Sequence, residues 1–182
     1  MSFAFPVKDE AAIREHIESL KKEYFDARHH CYAWILGADK KRFRAFDDGE
    51  PNHSAGDPIL GQIRSKNLAD VLIIVVRYFG GTKLGVGGLI HAYKTSAEDA
   101  LSKAAIIEEI VKADFHLVYD YQATNEVMRL LNDFEAEIVD QQFADACSVQ
   151  IKVPVKNETS FLDKVKLLQQ LNIQLTLQSP VT

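Results

Sequence analysis

Cysteine is scarce in this chain. Its two thiols, Cys31 and Cys147, lie far apart, and neither has a second Cys or a His at ligand spacing. That excludes a disulfide framework and a zinc site of the usual spacing, and it fits a reducing, cytoplasmic setting. Long apolar runs are missing too. None reaches the ~18 residues that would suggest a membrane span, and no basic segment followed by an apolar run opens the chain as a signal peptide would. Charge of one sign is not in large excess. A net charge of −5 over 182 residues argues against coating nucleic acid by bulk charge, while leaving room for a local basic patch. What remains is an ordinary globular composition, 47% hydrophobic and 26% charged, long enough for one medium domain or two small ones.

The N-terminal stub Phe3-Ala4-Phe5-Pro6-Val7 reads as a short strand with Pro6 at its edge or end. Asp9 is placed to cap a helix over 10–25, where Ile13, Ile17, Leu20 and Tyr24 recur at helical spacing. Residues 31–36 form an apolar strand ended by Gly37, and the basic run Lys40-Lys41-Arg42-Phe43-Arg44 turns into another. Asp47 to Ser54 is a loop, with Ser54 as the expected cap of a helix bearing Ile59, Leu60 and Ile63. Residues 71–76, Val-Leu-Ile-Ile-Val-Val, read as a strand buried on both faces. A glycine-rich segment follows, and helical spacing resumes from Gly88 to about Lys103. From 113 to 178 the pattern is β-α-β-β-α-β, the ferredoxin-like order. The chain is therefore expected to be α/β (α+β), with one domain over 1–110 and a second over 111–182. Residues 1–110 carry 15 basic and 16 acidic side chains, and 111–182 carry 6 and 10, so most cations sit in the first part.

Three segments are candidates for function. In RYFGGTKLGVGGL, residues 77–89, Gly80, Gly81, Gly85, Gly87 and Gly88 lie between a strand and a helix. Such a unit aims free N–H groups at whatever precedes the helix, with Arg77 and Lys83 as countercharge for an anion. It is neither a P-loop nor a Rossmann fingerprint. A tight crossing of helix and sheet explains the glycines equally well. In Asp47-Asp48-Gly49-Glu50-Pro51, three carboxylates could hold a hard cation, or simply form a solvated acidic turn. His29 and His30 are strand neighbours that face opposite ways and would not chelate one metal together. His53 stands beside the acidic loop. No catalytic triad or nucleophile elbow is present, so no catalytic residue and no cofactor is assigned.

Together, ARHHC at 27–31, DDGEP at 47–51, AGDPIL at 55–60 and RYFGGTKLGVGGLIHAY at 77–93 resemble the YigZ/Impact family in order and spacing. The resemblance implies a left-handed β-α-β first domain like domain IV of elongation factor G and the GHMP kinases. In bacterial members a ferredoxin-like domain follows. Larger eukaryotic members regulate translation and carry an RWD domain that has no counterpart here. The short N-terminus implies a short or missing first strand. Val86 stands where Thr is frequent, and His91 replaces a commonly basic residue.

The leading expectation is a non-enzymatic binding or regulatory protein acting on RNA, the ribosome or a translation factor. Lys40, Lys41, Arg42, Arg44, Arg77 and Lys83 would position phosphates, Tyr78 would stack on bases, and Phe79 is the better core candidate. Alternatives are an enzyme or binder for a phosphorylated small molecule, with Asp47, Asp48 or Glu50 holding magnesium, and a protein-interaction module. DDGEP and one of the two histidines are expected to converge beside the glycine segment.

Overall fold

The computed structural model describes residues 1–81, 83–144 and 146–178. Among them are two four-stranded antiparallel sheets and five α-helices, in two compact units that meet in sequence at Ile106 and Ile107.

The first unit runs β1 (Ser2–Pro6), α1 (Glu10–Glu23), β2 (His29–Leu36), β3 (Arg42–Phe46), α2 (Gly56–Ser65), β4 (Val71–Arg77), α3 (Gly85–Lys103). Its sheet order is β1-β4-β2-β3. The first strand, expected to be short or missing, is present and pairs with β4 from Ser2↔Val75 to Pro6↔Val71. β4 and β2 lack hydrophobic alternation because both faces of this sheet are covered. Cys31, Ala33, Ile35, Ile73 and Val75 pack against α2 and α3. Tyr32, Trp34, Leu36, Leu72, Ile74 and Val76 pack on the side of α1, which buries Ile13 and Leu20. α3 presents Leu89, Tyr93, Ala97 and Leu101, four residues apart, as one buried stripe. The Asp9 carboxylate caps α1, accepting the Ala12 N–H at 2.8 Å.

The second unit runs β5 (Lys112–Tyr119), α4 (Thr124–Asp133), β6 (Glu137–Phe143), β7 (Cys147–Pro154), α5 (Glu158–Gln170), β8 (Leu175–Gln178), with sheet order β6-β7-β5-β8. Phe115, Leu117 and Tyr119 of β5 pack with Val127, Leu130 and Leu131 of α4 and with Phe161 and Val165 of α5. The other side of β5, at Asp114 and His116, is largely polar, so its alternation survives.

Two sequence expectations need local correction. Ser54 does not cap α2; its hydroxyl donates to the Pro51 carbonyl at 2.6 Å, and the helix is capped from Asp47. α3 begins at Gly85 rather than Gly88. Gly85 enters it at a φ of 68°, so three of the five glycines belong to its first turn.

Candidate functional site

The acidic loop is a turn with every carboxylate committed. Glu50 N–H donates to the Asp47 carbonyl at 3.0 Å, and both central residues, Asp48 and Gly49, have positive φ, 44° and 84°. A type I′ turn requires this, and Asp-Gly supplies it. Asp47 Oδ1 accepts the N–H groups of Ala55 at 3.0 Å and Gly56 at 2.8 Å, and Oδ2 accepts His53 N–H at 2.9 Å. The loop thus satisfies orphan donors at the start of α2. Burial alone would raise the Asp47 pKa, but these three donors hold it below the ordinary value, helped by His53. Asp48 Oδ2 accepts the backbone N–H of His30 at 2.6 Å, tying the loop to β2. The three carboxylates therefore point at three different partners. They do not form the cation site considered from the sequence, and no group of metal-ligating side chains occurs among the described residues.

Glu50 is the hub. Its side chain is 5% exposed, and Oε1 lies 2.8 Å from Arg77 Nη1, 2.8 Å from the Tyr93 hydroxyl and 3.8 Å from His29 Nε2. Arg77 ends β4, opposite His29 in the sheet register, and Tyr93 lies on α3. One buried carboxylate therefore ties down the chain on both sides of the glycine segment. The partner of Arg77 is Glu50, not Asp47 or Asp48. His29 Nδ1 meets the Asp48 carbonyl oxygen at 2.8 Å, so DDGEP and His29 do converge next to the glycine segment. His30 faces the other way and is buried. Burial lowers its pKa, with Lys21 adding to the effect and Asp48 and the Tyr24 and Leu20 carbonyls opposing it. Its Nε2 has no hydrogen-bond partner among the described residues. The His53 ring turns outward to Asp57, Nδ1 to Oδ2 at 2.7 Å, and does not join the cluster.

Cys31 completes the buried network. Its Sγ is 2.9 Å from the Asp47 carbonyl oxygen and 3.3 Å from the Tyr93 hydroxyl. Burial pushes the thiol pKa up to about 12, with Glu50, Asp48 and Asp47 adding to the rise and the Tyr93 hydroxyl opposing it. The Tyr93 pKa is also raised, first by burial. A thiol held protonated is a structural donor rather than a nucleophile.

The glycine segment contrasts with this. Thr82 lies outside the described residues. Among the described residues, a Cβ built on Gly80, Gly81, Gly85 or Gly87 would meet nothing within 4 Å, and of these glycines only Gly88 is crowded, 3.0 Å from Leu84 Cβ. These glycines do not serve a helix–sheet crossing. Gly81 and Gly85 have positive φ, which explains them; Gly80 and Gly87 have neither positive φ nor a close neighbour. The close crossing in this unit is at Gly56, where a Cβ would sit 2.4 Å from Phe46 N. Around the open glycines, Tyr78, Phe79, Leu84, Val86 and Ile90 are all substantially exposed. Phe79, the better core candidate by sequence, is 49% exposed. Its ring centroid is 5.8 Å from the Arg28 guanidinium carbon and 5.9 Å from that of Arg77, within cation–π range. The Tyr78 hydroxyl donates to Asp26 at 2.7 Å.

The basic run does not adjoin this surface. His29 pairs with Arg77 at one end of β2, and Leu36 pairs with Arg42 at the other, so 40–44 and the glycine segment occupy opposite ends of the sheet. Arg42 is ion-paired with Glu10 at 2.8 Å, Lys41 with Asp39 at 3.6 Å, Lys40 bonds Asn67, and Arg44 lies by the Phe46 ring. Arg28, Asp26 and Tyr93 were not singled out from the sequence. Arg28 and Tyr93 stand inside the motifs ARHHC and HAY, but motif membership alone does not reveal which ring or carboxylate each reaches.

Residues 1–101 match the Impact N-terminal domain. The chain is similar to IMPACT family member YigZ of Escherichia coli, 30% identical over 90% of this chain and 81% of that one. It is also similar to IMPACT family member YvyE of Bacillus subtilis, 31% identical over 85% and 71%. Among solved structures, the crystal structure of a hypothetical protein superimposes with a TM-score of 0.69 at 27% identity, covering 99% of this chain and 87% of that one. With the four motifs folded into one buried hub and one open segment, these matches place the chain in the IMPACT family.

Proposed function

We propose that this protein is a non-enzymatic binding protein whose contact surface is the glycine segment, and that its partner is single-stranded RNA, free or displayed on the ribosome. The observation that carries this reading is the exposed Phe79 ring flanked by Arg28 and Arg77, beside glycines whose Cβ positions are empty. An exposed ring next to guanidinium groups is a stacking platform for an unpaired base, and the open glycines let a sugar-phosphate backbone approach. Lys83 adds an exposed cation on the same segment. Arg77 is committed to Glu50, so Arg28 and Lys83 are the phosphate contacts in this proposal. Catalysis gains little support from the buried cluster, where the carboxylate is neutralised by Arg77 and the thiol is held protonated. The magnesium-dependent reading loses its ligands for the same reason.

The finer fold description belongs to the same proposal. A β-α-β-β-α-β unit with sheet order β6-β7-β5-β8 supports the ferredoxin-like reading of the second unit. With a first domain of the elongation factor G domain IV type, it would present a pair of domains suited to a ribosomal surface, an argument by fold analogy. The test is fluorescence anisotropy with a labelled single-stranded RNA at about 50 and 200 mM salt. Binding should weaken steeply with salt, and the double change Arg28→Ala, Lys83→Ala should flatten the logarithmic slope by roughly one to two units. RNA affinity and slope equal to those of the parent would reject this surface.

A further inference from the structure

The open edge of β1 supports an independent inference. Among the described residues β1 is the outermost strand of its sheet, and no described strand lies along one side of its backbone. The register tells which residues face that side. Met1 and Val76 exchange both main-chain hydrogen bonds, at 3.0 and 2.9 Å, and Val7 N–H donates to the Asp70 carbonyl at 2.9 Å. In an antiparallel ladder such bonded pairs recur at every second residue. Phe3 and Phe5, opposite Ile74 and Leu72, are therefore the residues that bond to β4. Ser2 and Ala4 direct their N–H and C=O groups outward. Pro6, next in phase, has no N–H, and closes the series where an edge proline is tolerated.

This edge lies in a cleft of about 580 Å³. Tyr24, at the end of α1, borders it on one side, and Ser96, Ala100 and Ala104, along and just past α3, border it on the other. The α3 side sets the small residues Ser96, Ala100 and Ala104 beside the longer Asp99 and Lys103, so a second backbone can come close along the row of small ones. Asp99 and Lys103, ion-paired at 2.6 Å with side chains 53% and 73% exposed, add polar groups to the lining.

We propose that this cleft is a docking site for an extended polypeptide segment of a partner protein, which adds to the sheet as a fifth strand beside β1. The occupant is a polypeptide because the edge offers alternating main-chain donors and acceptors at a two-residue repeat of about 6.8 Å, the repeat of another strand. Its side chains facing α3 must be small, to fit against Ala100, Ala104 and Ser96. Its neighbours towards the rim are polar, to meet Asp99 and Lys103. The surface is separate from the glycine segment, and does not depend on the RNA reading.

The experiment uses the full chain and a random dodecapeptide library displayed on its own messenger RNA. Selected peptides are synthesised, their affinity is measured by calorimetry, and amide exchange is followed by NMR. The expected result is peptides that slow exchange of the Ser2 and Ala4 amides by at least about tenfold, the worth of one added main-chain hydrogen bond. The Phe3 and Phe5 amides are slow with or without peptide. Ala4→Pro removes an outward N–H without cutting a bond to β4, and Ala100→Phe fills the cleft from the helix side. Each should weaken the peptide at least about tenfold. If Ala4→Pro disturbs the fold, Ala100→Phe decides. No selected peptide, selected peptides that leave the Ser2 and Ala4 amides unaltered, or undiminished binding to a folded Ala100→Phe variant would overturn the proposal.

Discussion

Two segments meet at Arg77 and differ in how their atoms are used. In 47–56 each carboxylate has a protein partner: Asp47 holds three backbone donors, Asp48 holds the His30 amide, and Glu50 holds Arg77 and Tyr93. In 77–90 four of the five glycines meet no described residue at their Cβ positions, and five large apolar side chains face solvent. Both segments look equally like functional loops in the sequence. A polar segment can thus be wholly structural, while the unmet apolar surface lies in the other segment. The acidic loop and its hub hold the glycine segment in place, and in the proposed function it is the held segment that meets the partner.

This contrast predicts opposite responses to substitution. The largest effect belongs to Glu50→Ala, which leaves the Arg77 charge buried without its carboxylate. A loss of about 3–5 kcal/mol in urea unfolding is expected. Gly56→Ala comes next, because its Cβ would collide with the Phe46 backbone and flexible side chains cannot yield there. About 1–3 kcal/mol should be lost in the same measurement, at the upper end of that range. Asp47→Ala should cost about 1–2 kcal/mol, as loss of a helix cap does. Asp47 also carries a pH signature. Its folded pKa is lowered, so its contribution is present above the ordinary value of 3.8 and is lost as pH falls through the folded value. Asp47→Asn should therefore lower stability most near neutral pH, converge with the parent below the folded pKa, and so flatten the acid limb of the stability profile. The smallest effects lie on the glycine segment. Gly80→Ala should stay within about 0.5 kcal/mol of the parent, and Gly87→Ala, inside α3, should gain about 0.5–1 kcal/mol. A costly Gly80→Ala or a harmless Glu50→Ala would break the contrast.

Much of the fold was legible because its signals are local. The spacing of Ile13, Ile17 and Leu20 predicts α1, and the β-branched run 71–76 predicts a strand covered on both faces. The β-α-β-β-α-β succession after 113 follows from the same periodicities. The site was legible only as a set of segments. Which carboxylate meets Arg77 depends on the strand register and on the direction of each side chain from a tight turn, and the sequence spacing of Asp47, Asp48 and Glu50 carries neither. Ser54 matches the cap preference at the right place, yet Asp47 reaches across from the preceding loop and takes the same donors. Glycine is ambiguous in the same way. Gly56 relieves a collision and Gly87 relieves none, and both are one letter in the sequence.

The proposed contact lies on the open segment and not on the buried hub. The most direct measurement compares the parent with Phe79→Ala, using a fluorescein-labelled single-stranded RNA at about 100 mM salt, with a thermal melt of each. Phe79 is half exposed, so the melt should barely move. Removing a stacking platform should weaken binding by about 1–3 kcal/mol, roughly five- to 150-fold. An unchanged melt with RNA affinity equal to that of the parent would contradict the account.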